Sequence, residues 1–153
     1  MTEELDTTDR AILRLLQRDA SLSVDAISEQ VHLSRNACWR RIKAMEHAGV
    51  ITARVALVDP ARVGAPLTAI VLIRTRNHDD DWRRTFQQTL ATLPEVVGAY
   101  RMTGDLDYVL RVRLADVPAY DAFYKRLTSR VPVSDISASF VMEEIKETTT
   151  VPL

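Results

Sequence analysis

The sequence predicts an α+β chain in two parts, and three observations carry that expectation. Residues 1–50 show only helical periodicity and end at Gly49. Residues 67–145 alternate apolar, strand-like runs with two amphipathic helical stretches. Between them, Asp59-Pro60-Ala61-Arg62-Val63-Gly64-Ala65-Pro66 carries two prolines and a glycine, the punctuation of a linker. The expected division is residues 1–58, a linker over 59–66, and residues 67–153.

In the first part, Ile12, Leu15 and Leu16 obey the i, i+3, i+4 rule and predict a helix over 8–18. Asp6, Thr7 or Thr8 can cap it, and Asp9 in the first turn suits the positive end of the helix dipole. Ser23 caps a short second helix in which Val24, Ile27 and Val31 share a face, and His32-Leu33 makes a tight turn. Ser34 caps a third helix whose buried stripe is Cys38, Ile42 and Met45, and Gly49 supplies a left-handed stop. Three helices, the last two joined by so short a turn, follow the helix-turn-helix plan. Val50-Ile51 through Val58 alternates well enough for a strand, the wing of a winged helix-turn-helix.

Removing the buried stripe from the third helix leaves Arg35, Asn36, Trp39, Arg40 and Lys43 for its outer face, with Ser34 at the cap. From Leu33 to Met45 there are four cations (Arg35, Arg40, Arg41 and Lys43) and no acid. The rest of residues 1–53 holds three cations against eight acids, so the positive charge gathers on one helix. Such a helix suits the major groove of double-stranded DNA, its N-terminal part toward base edges and its cations on phosphates. A merely solvated cationic face is the plainer alternative; the preceding turn, the serine cap and a Trp beside Arg and Asn favour DNA. Net charge is only −1, so any such contact depends on this local patch.

The second part reads strand, helix, strand, strand, helix, strand. Leu67–Thr75 is an apolar run; Trp82, Phe86, Leu90 and Leu93 lie on one helical face; Val96–Met102 and Tyr108–Leu114 are the middle strands. Pro118 opens a helix striped by Tyr120, Phe123, Tyr124, Leu127 and Val131, and Ile136–Ile145 closes the pattern. This βαββαβ order predicts a ferredoxin-like sandwich, an antiparallel sheet with two helices on one face. The other face has no cover of its own, yet the first strand is apolar on both sides. A homodimer packed sheet against sheet is the expected remedy. A two-fold pair also suits two DNA-binding heads reading half-sites about 34 Å apart.

Composition excludes other classes. Hydrophobic residues at 46% and charged ones at 27% are those of a folded chain. No apolar run reaches the roughly 18–20 residues needed to span a bilayer, so no membrane partner is expected. The start MTEELDTTDR lacks the basic and apolar regions of a signal peptide, and a single cysteine, Cys38, fits a reducing compartment; a cytoplasmic protein is expected. His32, His47 and His78 are scattered and do not make metal-ligand spacing with Cys38. Cys38 sits on a buried stripe and reads as packing. Asp79-Asp80-Asp81 precedes a helix and reads as N-terminal charge rather than a Mg²⁺ site. No P-loop, GxGxxG, GxSxG or HExxH motif is present, so neither an enzyme nor a resident cofactor or metal is expected.

One loop invites a small molecule. In Thr103-Gly104-Asp105-Leu106-Asp107-Tyr108, Gly104 permits a positive φ that frees amide N–H groups for a carboxylate. Asp105 and Asp107 can receive an α-ammonium group, so together the loop suits both charged ends of an amino acid. A plain β-turn between strands, with Asp and Gly there for conformation, explains the same residues. Ser137 and Ser139 on the last strand are either accessory contacts or solvated positions.

Several segments resemble a known family in collinear order. Leu5-Asp6-Thr7-Thr8-Asp9-Arg10-Ala11-Ile12-Leu13 is similar to its opening LDxxDxxIL signature. Leu33-Ser34 through Arg41-Ile42, Met45-Glu46 and Gly49-Val50-Ile51 resemble its recognition segment, LS…RI..LE..GVI. Thr103-Gly104-Asp105-Leu106-Asp107-Tyr108 resembles its (S/T)GDxDY loop, and Val141-Met142-Glu143-Glu144-Ile145-Lys146 its final strand. The family is Lrp/AsnC, the leucine-responsive or feast/famine transcriptional regulators. The resemblance implies an amino-acid effector at Thr103, Gly104, Asp105, Leu106, Asp107 and Tyr108, between neighbouring dimers. It also implies homodimers that assemble to tetramers or octamers on promoters of amino-acid metabolism genes. Met45 stands where Leu is usual, and Trp39 fills a variable outward position that bears on the operator sequence. The expectation is thus a sequence-specific regulator responsive to an amino acid. An architectural DNA-binding protein without effector is the alternative, and an enzyme on the same scaffold would leave the cationic helix unexplained.

Overall fold

The computed structural model describes residues 4–153. Its first unit comprises residues 4–57 and Lys146–Leu153. Helix α1 (Thr7–Arg18) starts at a reciprocal capping box: the Asp9 amide donates to Asp6 Oδ1 at 2.7 Å and the Asp6 amide to Asp9 Oδ2 at 3.3 Å. Ser23 and Ser34 cap α2 (Val24–Gln30) and α3 (Arg35–His47) through their hydroxyl oxygens. The turn between these two helices places His32 at φ +55°, the left-handed region, and the Leu33 amide returns to the Ser28 carbonyl at 2.9 Å. Gly49 ends α3 at φ +72°. Ile12, Leu13, Ile27, Cys38, Ile42 and Met45 form the core of this unit.

Two features of this unit depart from the expected plan. Residues 50–58 form no strand: the Val50 and Ile51 amides turn back to the Met45 carbonyl, and Val55, Leu57 and Val58 are exposed. A strand needs a ladder partner for its N–H and C=O groups, and among the described residues none lies beside it. The second departure is Lys146–Leu153, grouped above with residues 67–145 but packed with the helices. The Gln17 side chain brackets Val151, its Oε1 accepting from the amide at 2.6 Å and its Nε2 donating to the carbonyl at 3.2 Å. Arg14 donates twice to the Leu153 main-chain oxygen, at 3.1 and 2.7 Å, and the Leu153 side chain joins the helical core.

The second unit, Val58–Ile145, begins with the residues read as a linker. They fold locally: a single 3-10 turn, Ala61–Val63, ends at Gly64 (φ +82°), and the Ala65 amide closes onto the Pro60 carbonyl at 2.8 Å. Then follow β1 (Leu67–Arg74), α4 (Asp80–Ala91), β2 (Val96–Arg101), β3 (Tyr108–Leu114), α5 (Val117–Thr128) and β4 (Asp135–Phe140). The sheet order is β2-β3-β1-β4 with every neighbour antiparallel, the ferredoxin-like arrangement. Along β3, Tyr108, Leu110, Val112 and Leu114 are buried while Val109, Arg111 and Arg113 between them are half-buried. Trp82, Phe86, Phe123 and Leu127 of the two helices close the core over Ala69, Val71 and Ile73. On the opposite face, Ile70 and Leu72 remain only half-buried. Strand β4 stops at Phe140, short of the expected Ile145. Its partner β1 begins at Leu67, directly after Pro66, which has no amide to extend the ladder, so Met142 and Ile145 are left exposed.

Candidate functional site

Two places collect the residues singled out by the sequence, one in each unit. The first is α3. Its apolar seam turns Cys38, Ile42 and Met45 into the core, and helical spacing then sends Asn36, Trp39, Arg40 and Lys43 to one outward stripe. Trp39 is half exposed, and Arg40 is exposed with no ion pair or hydrogen bond among the described residues. Arg35, a step to the side, pairs with Asp25 at 3.0 Å, both side chains largely in solvent. Such an exposed pair contributes little and opens readily. Lys43 holds Glu46 at 2.7 Å, and Arg54 reaches the same carboxylate at 3.0 Å; the Lys43 hydrogen bond holds the Glu46 carboxyl below its ordinary range. The Ser34 hydroxyl is engaged as the helix cap.

Arg41, counted among the cations of this helix but not on its outer face, turns toward α1. Its Nη1 donates to Asp6 Oδ2 at 2.7 Å and to Asp9 Oδ1 at 2.9 Å, joining α3 to the start of α1. The sequence carried a signal for this in Asp6 and Asp9, two carboxylates three residues apart at a helix start that draw a cation between them.

The second place is the loop between β2 and β3. Gly104 adopts φ +95°, a conformation that L side chains rarely adopt. The loop is closed at its base, where the Met102 amide donates to the Asp107 carbonyl at 2.8 Å and the Asp107 amide to Ile73 at 3.1 Å. Thr103 and Asp105 are exposed at the tip, Leu106 is half-buried, and Arg74 Nε donates to the Asp105 main-chain oxygen at 2.9 Å. Arg74 also pairs with Asp135 of β4 at 3.1 Å, so a cation and two carboxylates border the loop.

Asp107 and Tyr108 are also tied into the chain itself. Asp107 Oδ2 accepts the buried Thr75 amide at 2.8 Å, which spends one carboxylate oxygen on the chain itself. The Tyr108 ring is buried, 4.7 Å from Phe86 and 5.7 Å from Trp82 between centroids. Asp79, read as N-terminal charge, also caps α4 by accepting the Trp82 amide at 2.7 Å, and that bond holds its carboxyl below the usual range.

A three-helix unit with a basic third helix, followed by a ferredoxin-like unit with a polar loop at one sheet end, defines a DNA-binding helix-turn-helix protein with a separate ligand-binding domain. Comparison with known proteins agrees: residues 5–52 match the winged helix-turn-helix DNA-binding family and residues 68–151 the Lrp/AsnC ligand binding domain. The chain belongs to the Lrp/AsnC family, which consists of transcriptional regulators and not of enzymes. It is 47% identical to the DNA-binding transcriptional activator DecR of Escherichia coli strain K12, over 97% of this chain and 99% of that protein. Identity to the glutamate uptake regulatory protein of Zymomonas mobilis is 46%, over 100% and 93% of the two chains. Among solved structures, an AsnC family transcriptional regulator from Agrobacterium tumefaciens superposes with a TM-score of 0.93 at 49% identity, covering 97% of each chain. A transcriptional regulator of Neisseria meningitidis, solved as a complex with L-Met, gives 0.92 at 37% identity, again over 97% of each. Among the described residues no helix is long and apolar enough to cross a membrane.

Proposed function

We propose that this chain is a sequence-specific DNA-binding transcriptional regulator that answers an amino acid and acts as a homodimer, or a tetramer or octamer built from dimers, on promoters of amino-acid metabolism genes. The observation that carries the reading is the outward stripe of α3, where Arg40 stands uncompensated beside Trp39 and Asn36. In this reading Asn36, Trp39 and Arg40 meet base edges, while Arg35, Lys43 and the N-terminal end of α3 at Ser34 meet phosphates. Chromosomal DNA as partner places the protein in the cytoplasm.

The effector enters at Thr103, Gly104, Asp105 and Leu106. The Gly104 turn presents main-chain amides to a carboxylate, and the exposed Asp105 carboxylate receives the ammonium. Asp107 contributes by holding the loop through Thr75, and Tyr108 by anchoring it in the core. The relatives named for glutamate uptake and solved with L-Met support an amino acid as the ligand class. The half-buried Ile70 and Leu72 on the uncovered sheet face support a second copy packed there. Each unit has its own task, the helical one reading DNA and Val58–Ile145 binding the effector.

The test is a mobility-shift assay on promoter DNA with and without each of the twenty amino acids. Arg40→Ala should weaken binding about 5- to 150-fold, the range for loss of one base contact, and Arg35→Ala should weaken it through phosphate alone. Asp105→Ala should keep DNA binding and lose the amino-acid response. Unchanged affinity in both arginine variants would refute the α3 reading. DNA binding indifferent to every amino acid would instead favour an architectural role.

A further inference from the structure

Apolar packing does not by itself fix how a recognition helix is turned. The seam of Cys38, Ile42 and Met45 limits how far α3 can roll, but its contacts are non-directional and set the angle less finely than a hydrogen bond does. Reading bases is far less forgiving. With a helix radius of about 5–6 Å including side chains, a roll of about 20° carries a side-chain tip about 2 Å. Hydrogen bonds to base edges survive only a few tenths of an ångström. Something directional must therefore set the roll.

Arg41 supplies it. The guanidinium lies one residue from the outward Arg40 and one from the buried Ile42, on the flank of α3. Its Nη1 bridges Asp6 and Asp9 at 2.7 and 2.9 Å. Those carboxylates are not free to follow it, because they are already locked to each other's amides in the capping box of α1. The Asp9 side chain is 16% exposed and the Asp6 side chain 48%, so the bridge is shielded at Asp9 and open to water at Asp6. Charge-assisted hydrogen bonds of this kind are short and directional. The hydrogen bonds to Asp9 and then Asp6 hold the guanidinium firmly protonated, and the Asp9 amide and Arg41 hold the Asp6 carboxyl below its ordinary range.

We infer that Arg41 is a positioning residue for DNA reading: anchored on Asp6 and Asp9, it fixes the roll of α3 and so the sequence specificity of Asn36, Trp39 and Arg40, without touching DNA. This rests on α3 being the reading helix. It separates Arg41 from Arg40, its neighbour in sequence and its equal in charge.

The experiment first selects a preferred duplex from a random DNA pool with the unaltered full-length chain. Fluorescence anisotropy then measures affinity for that duplex and for a scrambled one, across a series of KCl concentrations. Arg41→Ala should lower the ratio of preferred to scrambled affinity about tenfold, as loss of one base contact would, and leave the salt slope unchanged. Asp9→Asn, which keeps a capping oxygen but loses the charge, should lower the same ratio. The double variant should be no worse than the more affected single one, because both remove one bridge. Arg41→Lys, a single compact cation, should restore part of the ratio. If Arg41→Ala instead weakens both duplexes alike and reduces the salt slope by about one, Arg41 is a phosphate contact and the inference falls. An unchanged ratio in Arg41→Ala and Asp9→Asn also overturns it. Should Arg40→Ala bind the selected duplex like the parent, α3 is not the reader; that result removes the underlying reading rather than the bridge alone.

Discussion

Replacing Asp107 with alanine withdraws the acceptor of one buried amide. Thr75 is 7% exposed, and its N–H donates to Asp107 Oδ2 at 2.8 Å. A hydrogen bond to a charged group is worth about 1.5–3 kcal/mol, and a buried donor left bare costs about as much. The Asp107 side chain is 27% exposed, so water can enter and soften the loss. About 2 kcal/mol is therefore expected for Asp107→Ala, or about 4–8 °C in Tm for a chain of this size. Asp107→Asn keeps an oxygen for the amide and should lose under about 1 kcal/mol. Asp105→Ala, at the exposed tip, should stay within about 0.5 kcal/mol of the parent. Urea denaturation followed by circular dichroism ranks the three. If Asp107→Ala proves as mild as Asp105→Ala, the bond to Thr75 is not structural and the assignment of Asp107 to the loop's frame is wrong. The ranking matters for effector mapping, because a lost response in Asp107→Ala reports a loosened loop, whereas the same loss in Asp105→Ala reports the ligand contact.

Other outcomes follow from single positions. His32→Gly should raise stability by up to about 1 kcal/mol, since His32 holds φ +55° in the turn before α3 and glycine adopts it freely; urea midpoints that do not move would show the strain is repaid by its side chain. Gly104→Ala should cost about 1–2 kcal/mol through backbone strain alone, because a Cβ there meets no atom within 4 Å and φ is +95°; a neutral result would mean that the loop does not need this conformation. The lowered Asp6 carboxyl, held by the Asp9 amide and Arg41, lends stability that is in place above about pH 4 and drains away as the pH falls through its folded value. Denaturation at about pH 3 and pH 6 should therefore show a smaller gap in Asp6→Asn than in the parent. Removing Gln17 and Arg14 side chains together should speed hydrogen exchange at the Val151 amide, which Gln17 Oε1 accepts at 2.6 Å; unchanged protection would show the last segment is held by Leu153 alone.

Local chemistry was readable in the sequence, and long-range chemistry was not. Ser23, Ser34 and Asp79 announced helix starts because a cap acts over three residues, and each accepts the expected amide. Alternation along Tyr108–Leu114 announced a strand with one buried face. The wing failed as a strand because alternation describes a face but not a ladder partner. Asp107 was assigned by residue type as an ammonium receptor, and Arg41 entered only in the count of cations from Leu33 to Met45. Their partners lie 32 residues away at Thr75 and 32 and 35 residues away at Asp9 and Asp6, which no local pattern encodes. Tyr108 stands where the GDxDY motif meets the start of strand β3, and the pleat turns its ring inward onto Trp82 and Phe86.

The bond from Arg14 to Leu153 spans 139 positions, and it gives synthesis an order. On a ribosome, α1, α2 and α3 emerge early and can fold as a unit. They do so with part of their apolar surface bare: a groove of about 740 Å³ bordered by Leu13, Leu16, Val50 and Ile51 is also lined by Val151 and Leu153, which follow the whole of the second unit in the chain. A chain broken off anywhere before residue 146 would carry the complete recognition helix beneath an unfinished roof. Such a fragment would be sticky and open to proteases rather than a clean competitor for DNA. The connectivity thereby completes the helical unit only after the sheet unit between its two pieces has been made.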